Sequence, residues 1–551
     1  MSTTLEAASL GNGSVVHTMS DLLAFSEDML VGLTPEQREA VMSPAKRLLV
    51  RATAGSGKTH VLTLRIQRRI AQREIEPDQV LAMTFTRKAG DELRRRLFRA
   101  GIRDINAGTF HRAALTLVNR YRDDHHLKPL VIEANRRRLI GSLATQVNES
   151  GDIRLEDWQL PRLEQEVGWA LSQGFNGALY AKNAKKFRRD APLAPVQFAE
   201  LLDRYVGLCH SRGVLDFDLL LSEAIKLLRD EPDVLASFRH HHTSLYVDET
   251  QDMNPLQFML LRHMAGDDPD LFCVGDPNQS IYGFNGASPL LLNEIIRTWP
   301  DTVVLDLTRN HRSTANIIEV ANTLLDEGAQ GITPAKDHGD VPMVRAYDTD
   351  DQEASHVATW LSAKHQPGSR WRSMAVLART NAQLELIASH LDAHDIPYER
   401  RGPEHSPASD LFVASEPWTR KIDDDSTDAI ALSTIHRAKG LEFQNVAVIG
   451  WAEGQLPNYN ATTTAQIDEE RRLAYVALSR AEDSLLITWS RGRNDPRYPD
   501  RAPSRFLEPI ERVIAAIEQR DAPLTGEARK ARLAAIRREL EKSVDEGNVS
   551  P

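Results

Sequence analysis

The chain has 551 residues, more than one hydrophobic core usually supports, so we expect two to four domains. Hydrophobic residues make up 41% of it and charged residues 26%, and no uninterrupted apolar run is long enough to cross a bilayer, so no membrane partner is expected. The net charge of -11 excludes a surface that is basic throughout, and any nucleic acid would have to bind in a local groove.

The N-terminal segment, residues 1–32, is predicted to be disordered. It lacks the basic start and the apolar block of a signal peptide. The two cysteines, Cys209 and Cys273, are isolated, which argues against a cysteine-based metal centre and favours a reducing compartment. The sequence therefore predicts a cytoplasmic protein.

A phosphate-binding loop is predicted next along the chain. The apolar run KRLLV precedes a turn of small residues, ATAGSGKT, which opens an amphipathic helix. Ala52, Gly55 and Gly57 allow backbone N–H groups to wrap a polyphosphate at the start of this helix. Lys58 supplies a point charge to the outer phosphates, and Thr59 offers a hydroxyl to Mg²⁺. Alone, such a loop indicates only that a nucleotide binds.

The segment from 114 to 212 is predicted to form helices with two basic runs, Arg136 to Arg138 and Lys182 to Asp190. Two interpretations stay open for these runs: a solvated helical face, or a surface that contacts duplex nucleic acid. The later run His240 to His242 is predicted to be an exposed helix end or loop, because no further metal ligands follow at suitable spacing.

Polar residues follow two further apolar strands. In SLYVDETQD, Asp248 suits a carboxylate that holds Mg²⁺, and Glu249 suits one that activates water. In FCVGDPNQSIYGFNG, Gln279 can reach a γ-phosphate. Tyr282 and Phe284 in the same loop are either ordinary core residues or exposed platforms for stacking bases.

Two arginines lie beyond this first nucleotide-binding region. Arg312 belongs to LTRNHRST, and Arg480 belongs to RRLAYVALSRAEDS. Because both come from a later part of the chain, they could close on the γ-phosphate as arginine fingers and couple hydrolysis to domain closure.

In chain order, these segments resemble the UvrD/Rep/PcrA-like superfamily 1 DNA helicases from about Leu33 to Leu507. The similarity rests on an ordered set of motifs, whereas any one of them could match by chance. The motifs are LTPEQREAV, ATAGSGKT, LAMTFTRKAGDEL, AGTFHRAAL, GVLDFDLLL, VDETQD, VGDPNQSIYGFNGA, LTRNHRST, VLARTNAQ, STIHRAKGLEF and ERRLAYVALSRA.

The resemblance implies an α/β fold with two RecA-like P-loop NTPase domains in tandem, each built on a parallel sheet, and a helical subdomain inserted in the first. The implied first core is 33–113 with 213–304, and the inserted helices are 114–212. The second core would be 305–510, followed by a charged helical tail, 511–551.

The resemblance also implies ATP and Mg²⁺ as cofactors. Thr59 and Asp248 would hold the metal, and Glu249 would activate the attacking water. The implied catalytic residues are Glu249, Lys58, Gln279, Arg312 and Arg480. The residues implied around the nucleotide, from adenine to ribose, are Gln37, Ala52, Thr53, Ala54, Gly55, Ser56, Gly57, Lys58, Thr59, His311 and Glu442.

Single-stranded DNA and its junctions with duplex are the implied partners. The residues that would line the strand are Phe85, Thr109, His111, Tyr282, Phe284, Asn381, Thr434 and His436. The implied activity is ATP-driven movement from 3′ to 5′ with duplex unwinding, in DNA repair, replication or recombination.

Three features depart from the family pattern. His311 replaces the usual Tyr that stacks on adenine, and an imidazole has less area and a pH-dependent charge. Asn285 replaces the usual Arg, which removes a cation from the DNA path. The interval 401–428 is too short for the large regulatory subdomain of the relatives, so that subdomain is predicted to be missing or vestigial.

Two other functions stay open. The short second core and the charged tail favour an ATP-gated DNA sensor or translocase subunit that acts with a protein partner, such as a nuclease or a repair factor. An unrelated P-loop NTPase, such as a GTPase or a small-molecule kinase, would leave the DNA-path aromatic residues and the second core without a role.

Overall fold

The structure is a computed structural model whose described residues are 27–150, 154–187, 189, 191–326, 328–400, 428–492, 500–521 and 526. Of the segment predicted to be disordered, residues 1–26 lie outside this set. Glu27–Leu30 form a short 3-10 helix, and Leu30 is buried in the first core. The structure therefore differs from the predicted disorder at these four residues. No helix in the described ranges has the length and apolar character that a membrane crossing requires.

The first part of the chain alternates strands with helices. Its elements are α1 (Pro35–Met42), β1 (Arg47–Ala52), α2 (Lys58–Ala71), β2 (Val80–Thr84), α3 (Arg87–Arg99), β3 (Asn106–Thr109) and α4 (Phe110–Asp124). The strands β1 and β2 are almost wholly buried, as expected for parallel strands covered by helices on both faces. The predicted domain boundary at 114 falls within α4, whose Ala114 and Leu117 pack in the first core.

A helical insert follows α4. Its elements are β4 (Val131–Ile132), α5 (Arg136–Ser150), α6 (Leu160–Ser172), α7 (Gly177–Asn183), α8 (Pro195–Arg212) and β5 (Val214–Leu215). The two short strands pair in parallel and close the base of the insert. Leu163, Phe198 and Tyr205 are fully buried in a core that belongs to these helices.

One basic run of the insert fits neither predicted interpretation at its first residue. Arg136 is mostly buried, and its guanidinium donates to the carboxylates of Asp216 (2.8 Å) and Asp218 (2.5 Å). It therefore anchors the insert to the first core. In the second run Lys185 and Lys186 are exposed, so both interpretations stay open there.

The chain then returns to the first sheet. The returning elements are α9 (Phe217–Asp230), α10 (Pro232–His241), β6 (Ser244–Val247), α11 (Pro255–Ala265), β7 (Asp270–Gly275), α12 (Leu291–Thr298) and β8 (Val303–Leu307). The sheet is parallel, in the order β3-β2-β6-β7-β1-β8. Strand β8 pairs with β1 as far as Leu307, so the first core passes the predicted limit at 304. Helix α10 ends at the histidine run, with His240 and His241 exposed.

The second core is built around another parallel sheet. Its elements are β9 (Arg309–Asn310), α13 (Ala315–Asn322), β10 (Thr333–Pro334), β11 (Met343–Tyr347), α14 (Asp350–Lys364), β12 (Met374–Ala378), α15 (Asn381–Ala393), β13 (Tyr398–Arg400), β14 (Ile430–Thr434), α16 (Ile435–Ala438), β15 (Phe443–Val448), α17 (Thr464–Leu478), β16 (Ala481–Ser490) and α18 (Leu507–Asp521). The sheet order is β11-β16-β15-β12-β14-β13.

The end of the second core differs from the prediction of a charged tail from residue 511. Ile510, Ile514 and Ile517 of α18 are buried in the second core, which therefore extends to Asp521. Residues 401–427 lie outside the described residues, so the vestigial insert stays a prediction. The two parallel sheets confirm the predicted α/β fold with two tandem cores. In such sheets, ligands bind at the carboxyl ends of the strands.

Candidate nucleotide site and nucleic-acid surface

The loop between β1 and α2 has the backbone shape that a phosphate requires. Gly55 (φ +68°) and Gly57 (φ +80°) lie in the left-handed region, where other residues are strained. The Gln37 amide nitrogen donates to the Ser56 carbonyl at 2.9 Å, and its oxygen accepts from the Thr34 N–H group at 2.9 Å. Gln37 thus supports the loop, whereas its contact with adenine stays a prediction. The other predicted loop residues are buried: Ala52, Thr53, Ala54 and Ser56.

Residues of the second core contact this loop directly. Asn310 Nδ2 donates to the Ala54 carbonyl at 2.8 Å, and the Tyr475 hydroxyl accepts from the Ala54 N–H group at 3.3 Å. The His311 N–H group donates to the Gly55 carbonyl at 2.9 Å, while the His311 side chain is exposed. The phosphate loop therefore lies at the seam between the two cores. Neither Asn310 nor Tyr475 was among the site residues predicted from the sequence.

The two predicted metal ligands lie beside each other. Thr59 Oγ1 donates to Asp248 Oδ2 at 3.0 Å. Burial, together with the negative charge of Glu249, raises the pKa of Asp248 to about 6. A hard divalent cation that takes oxygen ligands would offset the cost of burying the ionised carboxylate, so the donor set fits Mg²⁺. Within the described ranges, no group of three or more His, Cys, Asp or Glu side chains forms another metal site.

Glu249 has the features of a group that activates water. Its backbone is in the left-handed region (φ +53°), a strained conformation that recurs at functional sites. Gln251 donates a hydrogen bond to its carboxylate. Although burial acts to raise the pKa of Glu249, the charges of Lys58 and Lys439 lower it below its ordinary value. The carboxylate is therefore ionised and can accept a proton.

A chain of polar groups connects the phosphate loop to the second core. Lys58 Nζ lies 4.0 Å from Asp276 Oδ2, which accepts from Gln279 Nε2 at 2.7 Å. Gln279 Oε1 accepts from Arg480 Nη2 at 3.5 Å. Burial raises the pKa of Asp276. Asp276 was not predicted as a site residue, although it directly follows an apolar strand, as Asp248 does.

The two predicted arginine fingers are close enough to influence each other. Arg480 is buried, and burial and the charge of Arg312 lower its pKa to about 9. Arg312 Nε donates to Glu442 Oε2 at 2.7 Å, so the residue predicted to reach the ribose is an ion-pair partner in this structure. An anion between the guanidinium groups would offset their repulsion, which fits a terminal phosphate.

A buried ion pair joins the two cores beside this site. Lys439 Nζ lies 2.6 Å from Asp252 Oδ2 and donates to the Gln279 carbonyl at 2.6 Å. The same ammonium lies 5.2 Å from the centre of the Tyr282 ring, within the range of a cation–π contact. Burial raises the pKa of Asp252 to about 7. Neither Lys439 nor Asp252 was predicted as a site residue from the sequence.

Four of the residues predicted to line the DNA strand form one aromatic cluster across the seam. The Phe85 and Tyr282 rings stack with centroids 5.0 Å apart. Phe284 lies 6.0 Å from Tyr282 and 5.7 Å from the His436 ring, and 39% of Phe284 is exposed. Burial lowers the pKa of His436 to about 3, so this ring is neutral. The cluster can offer ring faces and edges to a base.

The other four predicted DNA residues lie apart from this cluster. Thr109 and His111 are buried, and His111 packs edge to face against Phe217. Their predicted contact with DNA is at odds with this burial. Asn381 is exposed at the start of α15, and Thr434 is half-buried at the end of β14. Asn381 follows β12 and Thr434 ends β14, and these two strands are neighbours in the second sheet.

The phosphate loop is contacted by a second parallel-sheet core and lies near the aromatic cluster. This arrangement is that of a two-core P-loop ATPase that acts on a nucleic acid. Residues 33–300 match the family model of the UvrD/REP helicase N-terminal domain, and residues 305–404 and 415–492 match that of the UvrD-like helicase C-terminal domain. The chain belongs to the UvrD/Rep family of ATP-dependent DNA helicases.

Curated relatives agree with this assignment. The chain is 29% identical over 610 residues to the ATP-dependent DNA helicase UvrD2 of Mycobacterium tuberculosis, and the match covers 93% of this chain and 85% of the relative. It is 28% identical over 501 residues to a probable DNA helicase of Mycoplasma pneumoniae, covering 87% of each. DNA helicase II of Escherichia coli is 30% identical over 387 residues, which cover 68% of this chain and 52% of that protein.

Proposed function

We propose that the protein is a 3′ to 5′ motor that uses ATP hydrolysis to move along single-stranded DNA and to separate a duplex ahead of it. The observation that carries the proposal is the loop from Gln279 to Phe284, which joins the nucleotide site to the aromatic cluster. Gln279 bonds to Asp276 and Arg480, and only five positions later Phe284 is exposed beside His436. A change at the phosphates can therefore reach the DNA surface through very few residues.

The residues of the site have assigned tasks in this proposal. Lys58, Arg312 and Arg480 would bind the phosphates and draw the cores together. Mg²⁺, held by Thr59 and Asp248, would neutralise charge on the phosphates. Glu249 would accept a proton from the attacking water. Release of the phosphates would then let the cores separate, and alternating grip on the strand would produce movement.

Strand displacement by the purified protein tests the proposal. The substrates are a duplex with a 3′ single-stranded tail and a duplex with a 5′ tail, each with and without ATP and Mg²⁺. We expect ATP-dependent release on the 3′-tailed duplex alone, and no release by the Lys58→Ala variant. Release on the 5′-tailed duplex alone would contradict the proposed polarity.

The same assay separates this proposal from an ATP-gated sensor or translocase subunit. Such a subunit would hydrolyse ATP on single strands and leave both duplexes intact. The short interval between β13 and β14, residues 401–429, is the sequence feature that keeps this second function in view. In that case the protein would need a partner, such as a nuclease or a repair factor, to open duplex DNA.

A further inference from the structure

The loop after β7 is held by side chains of the second core. Glu469 Oε1 accepts a hydrogen bond from the Gly283 N–H group at 2.8 Å, and Arg472 Nε donates to the Ser280 carbonyl at 2.9 Å. Glu469 and Arg472 lie three positions apart on α17, so their side chains share a face of that helix. One helical turn of the second core therefore holds two backbone groups of a first-core loop.

The close approach depends on glycine at position 283. A Cβ atom there would collide with the Glu469 carboxylate, whose Cδ would lie 3.0 Å away. The loop backbone and the carboxylate are thus in direct contact, without a side chain between them.

Further contacts hold the two ends of the same loop. Lys439 Nζ donates to the Gln279 carbonyl at 2.6 Å, which is a second attachment to the second core. At the other end, Gln173 Nε2 of the helical insert lies 3.5 Å from the Gly286 carbonyl. The loop therefore contacts both the second core and the insert.

A role in the stability of α17 does not account for Glu469. The helix already begins with a capping box formed by Thr463 and Gln466. An ion pair on the partly exposed face of α17 joins Asp468 and Arg471. Glu469 is instead mostly buried, and burial raises its pKa, a cost that the hydrogen bond from the loop opposes. The hydrogen bond that Glu469 accepts from the Gly283 N–H group best explains why an acid is mostly buried at this position.

We propose that Glu469 and Arg472 are positioning residues through which closure of the second core sets the place of Tyr282 and Phe284. The inference rests on the proposed function, since it takes these rings to bind single-stranded DNA. When the cores close around ATP, α17 carries Glu469 and Arg472 toward the loop and fixes it. When the cores open, the loop is released from one side.

A coupling of this kind has a thermodynamic signature. If closure fixes the DNA surface, a bound ATP analogue changes the affinity for DNA, and DNA changes the affinity for the analogue by the same factor. Loss of the Glu469 contact should reduce this factor and leave the nucleotide site intact. A residue that served only fold stability would not change the ratio of the two affinities.

The experiment measures the dissociation constant of a fluorescent oligothymidylate with and without the non-hydrolysable analogue AMP-PNP and Mg²⁺. In the wild-type chain we expect the analogue to change this constant by about fivefold or more. In Glu469→Ala and, independently, in Arg472→Ala we expect the factor to fall to within about twofold of unity. Both variants should still bind AMP-PNP and Mg²⁺ without DNA, since the residues of the phosphate loop are unchanged.

Two further variants sharpen the test. Glu469→Gln keeps an oxygen that accepts the Gly283 N–H group, so it should retain more of the coupling than Glu469→Ala. Asp468→Ala, on the same turn of the helix but in the partly exposed ion pair with Arg471, should retain the wild-type factor. If AMP-PNP changed the DNA affinity of both Glu469→Ala and Arg472→Ala by the wild-type factor, the inference would be wrong, but the proposed function would stand. Failure of the wild-type chain to bind single strands would overturn the proposed function and the inference together.

Discussion

Glu249 combines partial burial, an ionised carboxylate and a strained backbone in a single residue. The charges of Lys58 and Lys439 keep it ionised, and Gln251 fixes its carboxylate. We expect Glu249→Gln to lower DNA-stimulated ATP hydrolysis by roughly 100-fold or more, because a general base contributes about 10²- to 10⁴-fold. Nucleotide affinity should be retained. Steady-state hydrolysis and a direct nucleotide titration measure the two effects, with the partly exposed Glu294→Gln as the control. Equal rates in the two variants would remove Glu249 from the catalytic site.

His111 gives the first core an expected sensitivity to acid. Burial lowers its pKa to about 4, whereas an unfolded chain takes up the proton near pH 6.5. The lowered pKa costs no stability above pH 6.5, and stability falls as the pH drops toward 4. At pH 5 the expected loss is about 2 kcal/mol.

Urea unfolding at pH 7.5 and pH 5.0 measures this loss. The difference in unfolding free energy between the two pH values should be smaller in His111→Gln than in the wild-type chain. His240→Gln, at an exposed helix end, is the control and should keep the wild-type difference. An unchanged difference in His111→Gln would mean that another group carries the acid sensitivity.

At the scale of elements, the loop after β7 and its aromatic residues belong to the surface that is proposed to bind DNA. Phe284 keeps 39% of its surface exposed although it contacts Tyr282 and His436. We expect Phe284→Ala to weaken single-strand binding by roughly 1–3 kcal/mol through lost base stacking. Fluorescence anisotropy at fixed salt measures the change. Leu290→Ala, at another exposed apolar residue nearby in sequence, is the control, and an isotherm shared by both variants would argue against stacking.

Helix α18 contributes to the second core, although its sequence is rich in charge. Ile510 is fully buried there, whereas the nearby Glu508 and Glu511 are exposed. We expect Ile510→Ala to lower the free energy of unfolding by about 2–4 kcal/mol, since truncation of a buried Ile loses burial and leaves a cavity. Thermal or urea unfolding measures the loss. Glu511→Ala, one position later and exposed, should change stability little. If Ile510→Ala lowered the free energy of unfolding as little as Glu511→Ala, α18 would be dispensable for the stability of the second core.

Elements that are encoded locally could be predicted from the sequence, and contacts between distant segments could not. The strand, turn and helix around Lys58 occupy one continuous stretch, so their pattern indicated a phosphate site directly. Asp252 and Lys439 are 187 positions apart, and nothing in either local pattern indicates the other. The burial of His111 likewise depends on Phe217, which the returning chain brings beside it.

At the scale of the whole molecule, the two cores meet through charged and hydrogen-bonded groups around the nucleotide site. Lys439 and Asp252 form a buried ion pair across this seam. Removal of one partner from a buried pair leaves an uncompensated charge, which typically costs several kcal/mol. Opening of the seam would hydrate that charge. The pair should therefore favour the closed arrangement of the cores.

Lys439→Ala is accordingly expected to shift the molecule toward an open arrangement, because Asp252 would lose its partner and draw water into the seam. Energy transfer between dyes on cysteines introduced at Arg297 and Glu385, one exposed site in each core, measures the separation, and the two natural cysteines are buried. Transfer should decrease in Lys439→Ala and recover in part when Asp252→Asn is added, since an amide cannot ionise and is easier to bury than a carboxyl group that has lost its partner. Lys336→Ala, which breaks a more exposed ion pair within the second core, should leave the transfer unchanged. A decrease that persists fully in the double variant would show that Lys439 holds the cores through the Gln279 carbonyl rather than through Asp252.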